Sequence, residues 1–424
     1  MTIALIILLL FFLVTSVPIF VALTFSTLLI VMFYTDIPPL MMVQRLFGGI
    51  DKFALMSMPF FILAADVMDV GGLSKRILRW ARAIIGSVTG GLGMATELAC
   101  MFFGALSGSS PATVIAVGKL MYPEMIKQKY PQGFAAGLIT SSGSVALLIP
   151  PSITMIIYAT VTGVSVGSLF IAGIGAGIVY GLMSMAYIYF YARRHQLPRD
   201  QWAGFGEIWS ASKEASWALM VPVIIMGGIY GGIFTPTEAA GFSAIYAIFV
   251  SIFVYRELDL QGLFKVCIKS ATTSAQVLVL VAAAQAFGWF LTIAQVPQMI
   301  MTKLIAYASS PIILLMIINV VLLIAGMFVE GIASIIILTP LIYPVAVQMG
   351  IDPVHLGIVI VTNLCIGQFT PPFGLNLFVA TGVTGLPMTK LIPGVMAFII
   401  VSIIALLIIT YIPGISLFLP RLVY

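Results

Sequence analysis

Two diproline pairs interrupt apolar stretches of this sequence, and each follows a cluster of small polar residues. Pro150-Pro151 comes after the hydroxyl-rich segment 140–144, and Pro371-Pro372 comes after segment 367–370. Proline lacks an N–H, so carbonyls one turn upstream lose their helical partner. Freed carbonyls near Ser and Thr hydroxyls are the ligands that coordinate Na⁺ in interrupted membrane helices. The pattern predicts one Na⁺ site at each interruption.

A second kind of interruption precedes each diproline pair. Segments 104–111 and 326–334, rich in Gly, Ser and Ala, divide apolar runs into halves too short to span a bilayer. Each segment therefore predicts the tip of a re-entrant helical hairpin. Non-helical backbone at membrane depth must be buried in protein or line a wet cavity. The helix N-termini at such tips attract a substrate carboxylate.

These patterns assign candidate residues to two Na⁺ sites and one substrate region. We expect the first Na⁺ site to use Ser107, Ser109, Gly143, Ala146 and Pro150. We expect the second to use Gly326, Glu330, Gly367, Thr370 and Pro371. The substrate region is expected to include Ser110, Ser144, Ser152, Asn363 and Phe373. No Lys or Arg lies near either break, which leaves helix dipoles, hydroxyls, Asn363 and bound Na⁺ to hold an anionic substrate.

Several of these residues also have a purely structural interpretation. Gly, Ser and Thr are common where membrane helices pack closely. Glu330 either acts at an ion or proton site or caps the second arm of its hairpin. Glu238 completes a capping box with Thr235, with a functional role as the alternative. Glu97, Asp66 and Asp69 lie near predicted helix ends and are expected at the membrane interface.

The composition shows which elements must position these residues. The chain is 61% hydrophobic and 8% charged, whereas soluble domains carry about 25% charged residues. Its length leaves room for about a dozen passes of roughly 20 apolar residues each. We expect the first apolar run to be retained as a membrane helix that Pro18 breaks or bends. Three isolated cysteines and two separate histidines predict no transition-metal site and no cofactor besides Na⁺.

The cationic residues predict orientation rather than a nucleic-acid partner. Although the net charge is +5, Lys and Arg concentrate in short polar segments between apolar runs, chiefly 74–82, 193–214 and 256–269. Cytoplasmic loops of membrane proteins carry this excess, so we place all three segments in the cytoplasm. The sequence has no nucleotide-binding loop, which excludes ATP as the direct energy source.

An internal repeat organises the chain. The Tyr-Pro pair at 122–123 and the diproline pair at 150–151 both recur 221 positions later. Lys119, Lys127 and Lys129 flank the first Tyr-Pro pair, but neutral residues flank the second. This difference predicts opposite orientations in the membrane. The predicted fold is an all-α polytopic membrane protein with two inverted repeats, each holding a re-entrant hairpin and a discontinuous helix.

The repeats divide the chain into five segments. We expect scaffold helices in 1–88, the first transport repeat in 89–165 and further scaffold or arm helices in 166–310. The second transport repeat is expected in 311–388, and a C-terminal helix in 389–424.

At these motifs the sequence resembles the large membrane subunit of tripartite ATP-independent periplasmic (TRAP) transporters. The resemblance rests on residues 58–61, 103–109, 149–152, 232–240 and 369–374. It implies an elevator-type importer in a bacterial inner membrane, driven by at least two Na⁺. It also implies a small four-helix membrane subunit and a periplasmic substrate-binding protein as partners. Ser107 and Ser109 match the family's first hairpin serines, and Glu330 stands where relatives can have Asp.

The resemblance implies an organic acid as substrate, with sialic acid slightly preferred and a C4-dicarboxylate next. A stand-alone anion or dicarboxylate carrier of related architecture is the main alternative. An intramembrane enzyme is the third interpretation. It would need paired catalytic side chains at one depth, and Glu330 has no visible partner in the sequence.

Overall fold

A computed structural model describes residues 2–15, 17–296, 298–299 and 310–423. Its regular elements are helices. The first half contains α1 (Thr2–Val14), α2 (Ile19–Tyr34), α3 (Pro39–Ile50), α4 (Ser57–Val70), α5 (Leu73–Ile85), α6 (Gly91–Ser107), α7 (Ser110–Lys127), α8 (Gln132–Ser142), α9 (Ile153–Thr162) and α10 (Val166–Arg194). The second half contains α11 (Gly204–Tyr230), α12 (Pro236–Phe249), α13 (Leu260–Ile293), α14 (Pro311–Phe328), α15 (Gly331–Gln348), α16 (Pro353–Gly367), α17 (Leu375–Thr384), α18 (Met388–Tyr411) and α19 (Gly414–Val423).

Seven helical stretches of the described residues are long and apolar enough to cross a membrane. The other apolar helices are shorter, among them α6, α9, α16 and α17. The described part of the chain is therefore an all-helical, multi-pass membrane protein, with seven candidate spans against the expected dozen or so passes. The predicted break at Pro18 is confirmed, because α1 ends at Val14 and Pro18 precedes the first turn of α2. Residues 300–309 of the predicted middle segment lie outside the described residues.

The same order of elements occurs twice. In the first half, α6 and α7 are separated only by Gly108 and Ser109, and the α8–α9 helix is interrupted by a 3₁₀ turn at Gly143–Leu147. In the second half, α14 and α15 meet at a two-residue tip, and α16 and α17 are separated by residues 368–374. The predicted interruptions therefore lie between helices in both halves.

The three basic segments meet at one end of the molecule. Arg82 Nε donates to Asp200 Oδ2 at 2.7 Å, and Arg76 Nη1 donates to Glu257 Oε1 at 2.7 Å. The guanidinium of Arg82 holds the pKa of the Asp200 carboxyl below its usual value. This end also includes the base of the first hairpin, because Gln128 Nε2 donates to Asp200 at 2.7 Å. The three basic segments can lie in the cytoplasm together only if they share one end of the molecule, and they do.

The helix junction at Thr235 is a complete capping box. The Thr235 hydroxyl accepts from the backbone N–H of Glu238, and the Glu238 carboxylate accepts from the backbone N–H of Thr235 at 2.7 Å. The structural interpretation of Glu238 is therefore confirmed. Asp66 and Asp69 lie near the end of α4, as expected, and Asp66 accepts from Lys269 Nζ at 2.5 Å.

Backbone contact without intervening side chains holds α8 against α18. A Cβ at Gly137 would lie 2.4 Å from the carbonyl oxygen of Gly394, and a Cβ at Gly394 would lie 1.8 Å from that of Gly133. Small residues let membrane helices approach this closely. The contact fixes the first half of one broken helix against the long C-terminal helix.

We expect Gly394→Val to destabilise the protein by at least about 3 kcal/mol, the upper end for overpacking. The valine side chain would have to displace backbone rather than side chains. Gly382→Val in α17 is the matched control, because a Cβ there meets no atom within 4 Å. Thermal unfolding of both variants in detergent micelles measures the difference. Equal melting temperatures for the two variants would contradict this account.

Candidate functional site

The first hairpin tip rests directly on the first helix break. A Cβ at Gly104 would lie 2.7 Å from the Cα of Ala146, and one at Gly108 would lie 2.8 Å from the carbonyl oxygen of Pro151. Gly108 has φ +56°, so the chain reverses there through the left-handed region that glycine tolerates. The tip therefore contacts the break through its backbone.

Hydroxyl groups cluster at this tip. The Ser107 hydroxyl shares a 3.0 Å hydrogen bond with Thr113 Oγ1 and contacts the carbonyl oxygen of Ser109 at 3.3 Å. On the facing side, the Ser152 hydroxyl donates to the Leu147 carbonyl at 2.6 Å and caps α9. Oxygen atoms of both kinds, hydroxyl and carbonyl, therefore lie around the first junction.

The second hairpin tip meets the second break in the same way. A Cβ at Gly326 would lie 2.9 Å from the Cα of Gly367, and one at Gly367 would lie 2.6 Å from the Cα of Gly326. Thr370 Oγ1 donates to the Ile366 carbonyl at 2.6 Å. The Glu330 carboxylate accepts from the backbone N–H groups of Ile332 and Ala333, at 2.9 and 3.3 Å. The capping interpretation of Glu330 is therefore realised in this structure.

The structure brings residues of each predicted Na⁺ site to one junction. At the first, the hairpin that carries Ser107 and Ser109 packs on the turn that carries Gly143 and Ala146; a Cβ at Gly143 would meet Val114 of α7. At the second, Gly326 and Gly367 are in contact and Thr370 follows in the same turn. Pro150 and Pro371 each begin a cis diproline bond. Ion binding at either junction stays a prediction.

Ser110 links the two halves of the protein. Asn376 Nδ2, at the start of α17, donates to the Ser110 hydroxyl at 2.7 Å and to the Thr140 carbonyl at 3.1 Å. The Ser110 hydroxyl in turn donates to Asn376 Oδ1 at 3.0 Å. Asn376 was not among the residues predicted from the sequence. An amide side chain in an apolar helix, directly after a break, is the sequence feature that would have indicated it.

The other predicted substrate residues differ in exposure. Ser144 and Ser152 are fully buried, and the Ser144 hydroxyl donates to the Ser141 carbonyl at 2.7 Å. Asn363 is buried and donates to Asn319 Oδ1 at 2.8 Å, but its own Oδ1 has no partner. Phe373 is 57% exposed and lies 5.8 Å from the ring of Phe328. Only Phe373 of this set presents a large exposed surface beside a hairpin tip.

Glu97 is a correction to the sequence analysis. It is fully buried rather than interfacial and accepts a hydrogen bond from the Ser142 hydroxyl through Oε2, while its Oε1 has no partner in the part of the chain that the structure describes. Because α6 begins at Gly91, a rise of 1.5 Å per residue carries Glu97 about 9 Å into the helix. Neighbouring helices cover it there. This acid therefore lies beside the first break.

The first broken helix also has a cationic side chain beside it, which the sequence did not predict. Lys52 Nζ donates to the Thr160 carbonyl at 2.6 Å, near the C-terminal end of α9. The two residues are far apart in the chain, so only the fold reveals the contact. The interaction suits a cation at a helix C-terminus.

Comparison with known proteins assigns the family. The sequence model described as "Tripartite ATP-independent periplasmic transporter, DctM component" matches residues 6–415. The chain belongs to this DctM family. The TRAP resemblance found in the motifs is thus confirmed, and the chain is a transporter permease rather than an enzyme. Within the described residues, no group of three His, Cys, Asp or Glu side chains is placed to hold a metal ion.

Curated relatives of this DctM-family chain carry several substrate names. The C4-dicarboxylate TRAP transporter large permease protein DctM of Pseudomonas aeruginosa is 44% identical, covering 89% of this chain and 88% of the relative. The isethionate TRAP transporter permease protein DctMQ of Oleidesulfovibrio alaskensis is 42% identical, covering 96% of this chain and 64% of the relative. The sialic acid TRAP transporter large permease protein SiaM of Vibrio cholerae is 37% identical, covering 89% of each chain.

A solved structure shares the fold of this DctM-family chain. The Alcanivorax borkumensis YdaH transporter superposes with a TM-score of 0.60, covering 90% of this chain and 86% of the other at 15% identity. At that identity the likeness concerns the fold.

We expect the Glu97 carboxylate to stabilise the first break by accepting from Ser142. Glu97→Met keeps most of the volume but removes the acceptor, and an unsatisfied buried hydroxyl costs about 1–3 kcal/mol. Glu97→Gln keeps an acceptor oxygen and is expected to melt close to the native protein. Thermal unfolding in detergent micelles compares the two variants. A Met variant as stable as the Gln variant would show that the hydrogen bond contributes nothing.

Proposed function

We propose that this chain is the large permease subunit of a Na⁺-coupled, binding-protein-dependent importer of a carboxylate substrate, working by an elevator mechanism. One observation carries the proposal. Each of two hairpin tips packs on a broken helix through glycine backbone, at Gly104 in the first half and at Gly326 in the second. In secondary transporters, interrupted helices of this kind line ion sites, where unwound carbonyls coordinate the cation.

Ion binding follows from the chemistry at the two junctions. The first offers the hydroxyls of Ser107 and Thr113 and the carbonyl of Ser109. The second offers the Thr370 hydroxyl and the backbone around Gly326 and Gly367. These are neutral oxygen ligands, which suit a monovalent hard cation. Two such junctions support at least two Na⁺ per transport cycle.

An inverted arrangement of the halves is supported by contacts at the hairpin bases. The base of the first hairpin lies at the basic end, where Gln128 contacts Asp200. The base of the second contacts the far end of the first broken helix: Tyr158 OH donates to the Pro353 carbonyl at 2.8 Å, and the ring of Tyr158 lies 6.4 Å from that of Tyr343. The two bases thus lie at opposite ends of α8–α9.

The elevator mechanism requires one body that moves and one that stays. The hairpins and broken helices contact each other across the halves, through Ser110 and Asn376 and through the packing of α7 on α17. Helices α2, α3 and α4 instead pack on α13, and α4 also packs on α12. We infer that the first group carries ions and substrate, and that the second forms the scaffold.

The substrate class rests on relatives and on charge. The three relatives described above are named for C4-dicarboxylate, isethionate and sialic acid transport, and all three substrates are organic anions. The higher identity to the Pseudomonas aeruginosa permease favours a C4-dicarboxylate over the sialic acid slightly preferred from the overall resemblance. We propose a C4-dicarboxylate first and sialic acid second.

The partners follow from family membership. We propose a small four-helix membrane subunit, a periplasmic substrate-binding protein and a location in the bacterial inner membrane. The DctMQ relative supports the small subunit, because this chain spans only 64% of its length. The positive charge of the end that holds Arg76, Arg79 and Arg82 supports placing that end in the cytoplasm.

We expect Thr370→Ala and Ser107→Ala to raise the Na⁺ concentration for half-maximal uptake by about five- to tenfold, because each removes one oxygen ligand. The measurement is uptake of radiolabelled succinate into proteoliposomes that hold this chain and its small subunit, with the binding protein outside. Thr389→Ala, at an exposed position, is the control.

An unchanged Na⁺ requirement in both variants would remove the two ion sites from the proposal. Omitting the binding protein separates the main proposal from the alternative. Full uptake by this chain alone would favour a stand-alone anion carrier.

The orientation has its own test. In a background with Cys100, Cys267 and Cys365 replaced by Ala, we expect a cysteine at Lys52 to react with an impermeant maleimide added to whole cells. A cysteine at Lys75 should react only after permeabilisation, because Lys75 lies at the basic end. The reverse labelling pattern would invert the proposed topology.

A further inference from the structure

A cavity of about 510 Å³, lined by both polar and apolar residues, lies away from both hairpin junctions. One wall comes from α3 and α13 of the inferred scaffold. The other lining residues come from the C-terminal end of α9, in the broken helix, and from the middle of α15, in the second hairpin. The cavity therefore lies on the boundary between the two inferred bodies, and its volume suits a small organic molecule.

Cationic side chains line this cavity without acidic ones. Arg45 and Lys52 are both lining residues, and among the described residues that line it none is Asp or Glu. The Arg45 guanidinium lies 5.6 Å from the ring centroid of Trp289, another lining residue. Lys52 uses one proton for the Thr160 carbonyl, which leaves two ammonium protons for another acceptor.

Thr339 supplies an independent indication of a ligand. Its side chain is fully buried, its hydroxyl has no hydrogen-bond partner among the described residues, and it lines the cavity. Buried hydroxyls almost always have a partner in native proteins, and an unpaired one needs an explanation. A polar group of a bound molecule would supply the missing partner.

We propose that this cavity is an entry site that binds the carboxylate substrate before it reaches the hairpin tips. Arg45 and Lys52 hold the carboxylate, and the Thr339 hydroxyl binds a second polar group of the same molecule. The identification of this anion as the transported substrate rests on the proposed function. The position fits delivery from outside, because the cavity lies at the end opposite the basic segments.

The charge arrangement explains how such a site accepts and then releases its anion. Burial lowers the pKa of the Lys52 ammonium below its usual value, and a bound carboxylate opposes that effect. The two cations belong to the scaffold side, while Thr160 and Thr339 belong to the other body. Movement of that body past the scaffold would therefore separate the anion's ligands and release it.

Binding is tested directly on the purified full chain with its small subunit, in phosphatidylcholine nanodiscs and Na⁺-free potassium buffer. Succinate and N-acetylneuraminate are the probes, and uncharged succinamide is the control ligand. We expect saturable quenching or enhancement of tryptophan fluorescence with at least one acid and none with succinamide. Trp289→Phe should abolish the signal, because Trp289 is the tryptophan beside Arg45.

Variants assign the roles of the side chains. The double variant Arg45→Gln/Lys52→Gln is expected to weaken binding by at least about tenfold, and Thr339→Val by about fivefold. Arg45→Lys should recover part of the affinity. Lys390→Gln, which neutralises an exposed cation outside the cavity, should leave binding unchanged. Nanodiscs that contain phosphatidylglycerol show whether a lipid phosphate occupies the site instead.

The experiments distinguish failure of the entry site from failure of the proposed function. No saturable response to either acid, an unchanged affinity in the double variant, or displacement of both acids by phosphatidylglycerol would overturn the entry site. Because this assay contains no Na⁺, Ser107→Ala and Thr370→Ala should bind the acids normally while needing a higher Na⁺ concentration for uptake. Binding without Na⁺-dependent uptake would reject the proposed function and keep the site.

Discussion

Unwound backbone within a membrane must find polar partners inside the protein, and this constraint shapes the centre of the chain. Two helices break, and two hairpin tips cover the breaks. The contact is so close that glycine is required on at least one side, as at Gly104 and Gly326. Helix capping by Ser152 and Glu330 satisfies further N–H groups at the same level. The fold around these junctions serves mainly to hold them together.

The two ends of the molecule differ in whether their cationic side chains pair with acids. At one end, Arg76, Arg79 and Arg82 pair with acids from the loop before α13, from the first turn of α11 and from the loop after α10, respectively. At the other end, Arg45 and Lys52 line a cavity free of acids among its described residues. Paired cations stabilise a fixed surface, whereas cations without acidic partners remain available to an anion. The same residue types therefore have different uses at the two ends.

The sequence predicted the elements of the fold better than their contacts. Proline, glycine and hydroxyl patterns located both hairpins and both breaks, because these residues act on the local backbone. Thr235 and Glu238 were recognised for the same reason. Glu97, Asn376 and Lys52 were missed or misplaced, since their roles depend on Ser142, Ser110 and Thr160, which are distant in sequence. Long-range partners of single polar side chains leave no periodic signal in one sequence.

The glycine contact between Gly326 and Gly367 has a consequence for how such permeases diversify. Main-chain atoms form the contact, and neither position leaves room for a Cβ. Relatives named for a dicarboxylate, a sulfonate and a sugar acid can use the same contact, since it involves no side chain. Selectivity among substrates must then arise from side chains elsewhere, where substitution does not disturb the glycine contact.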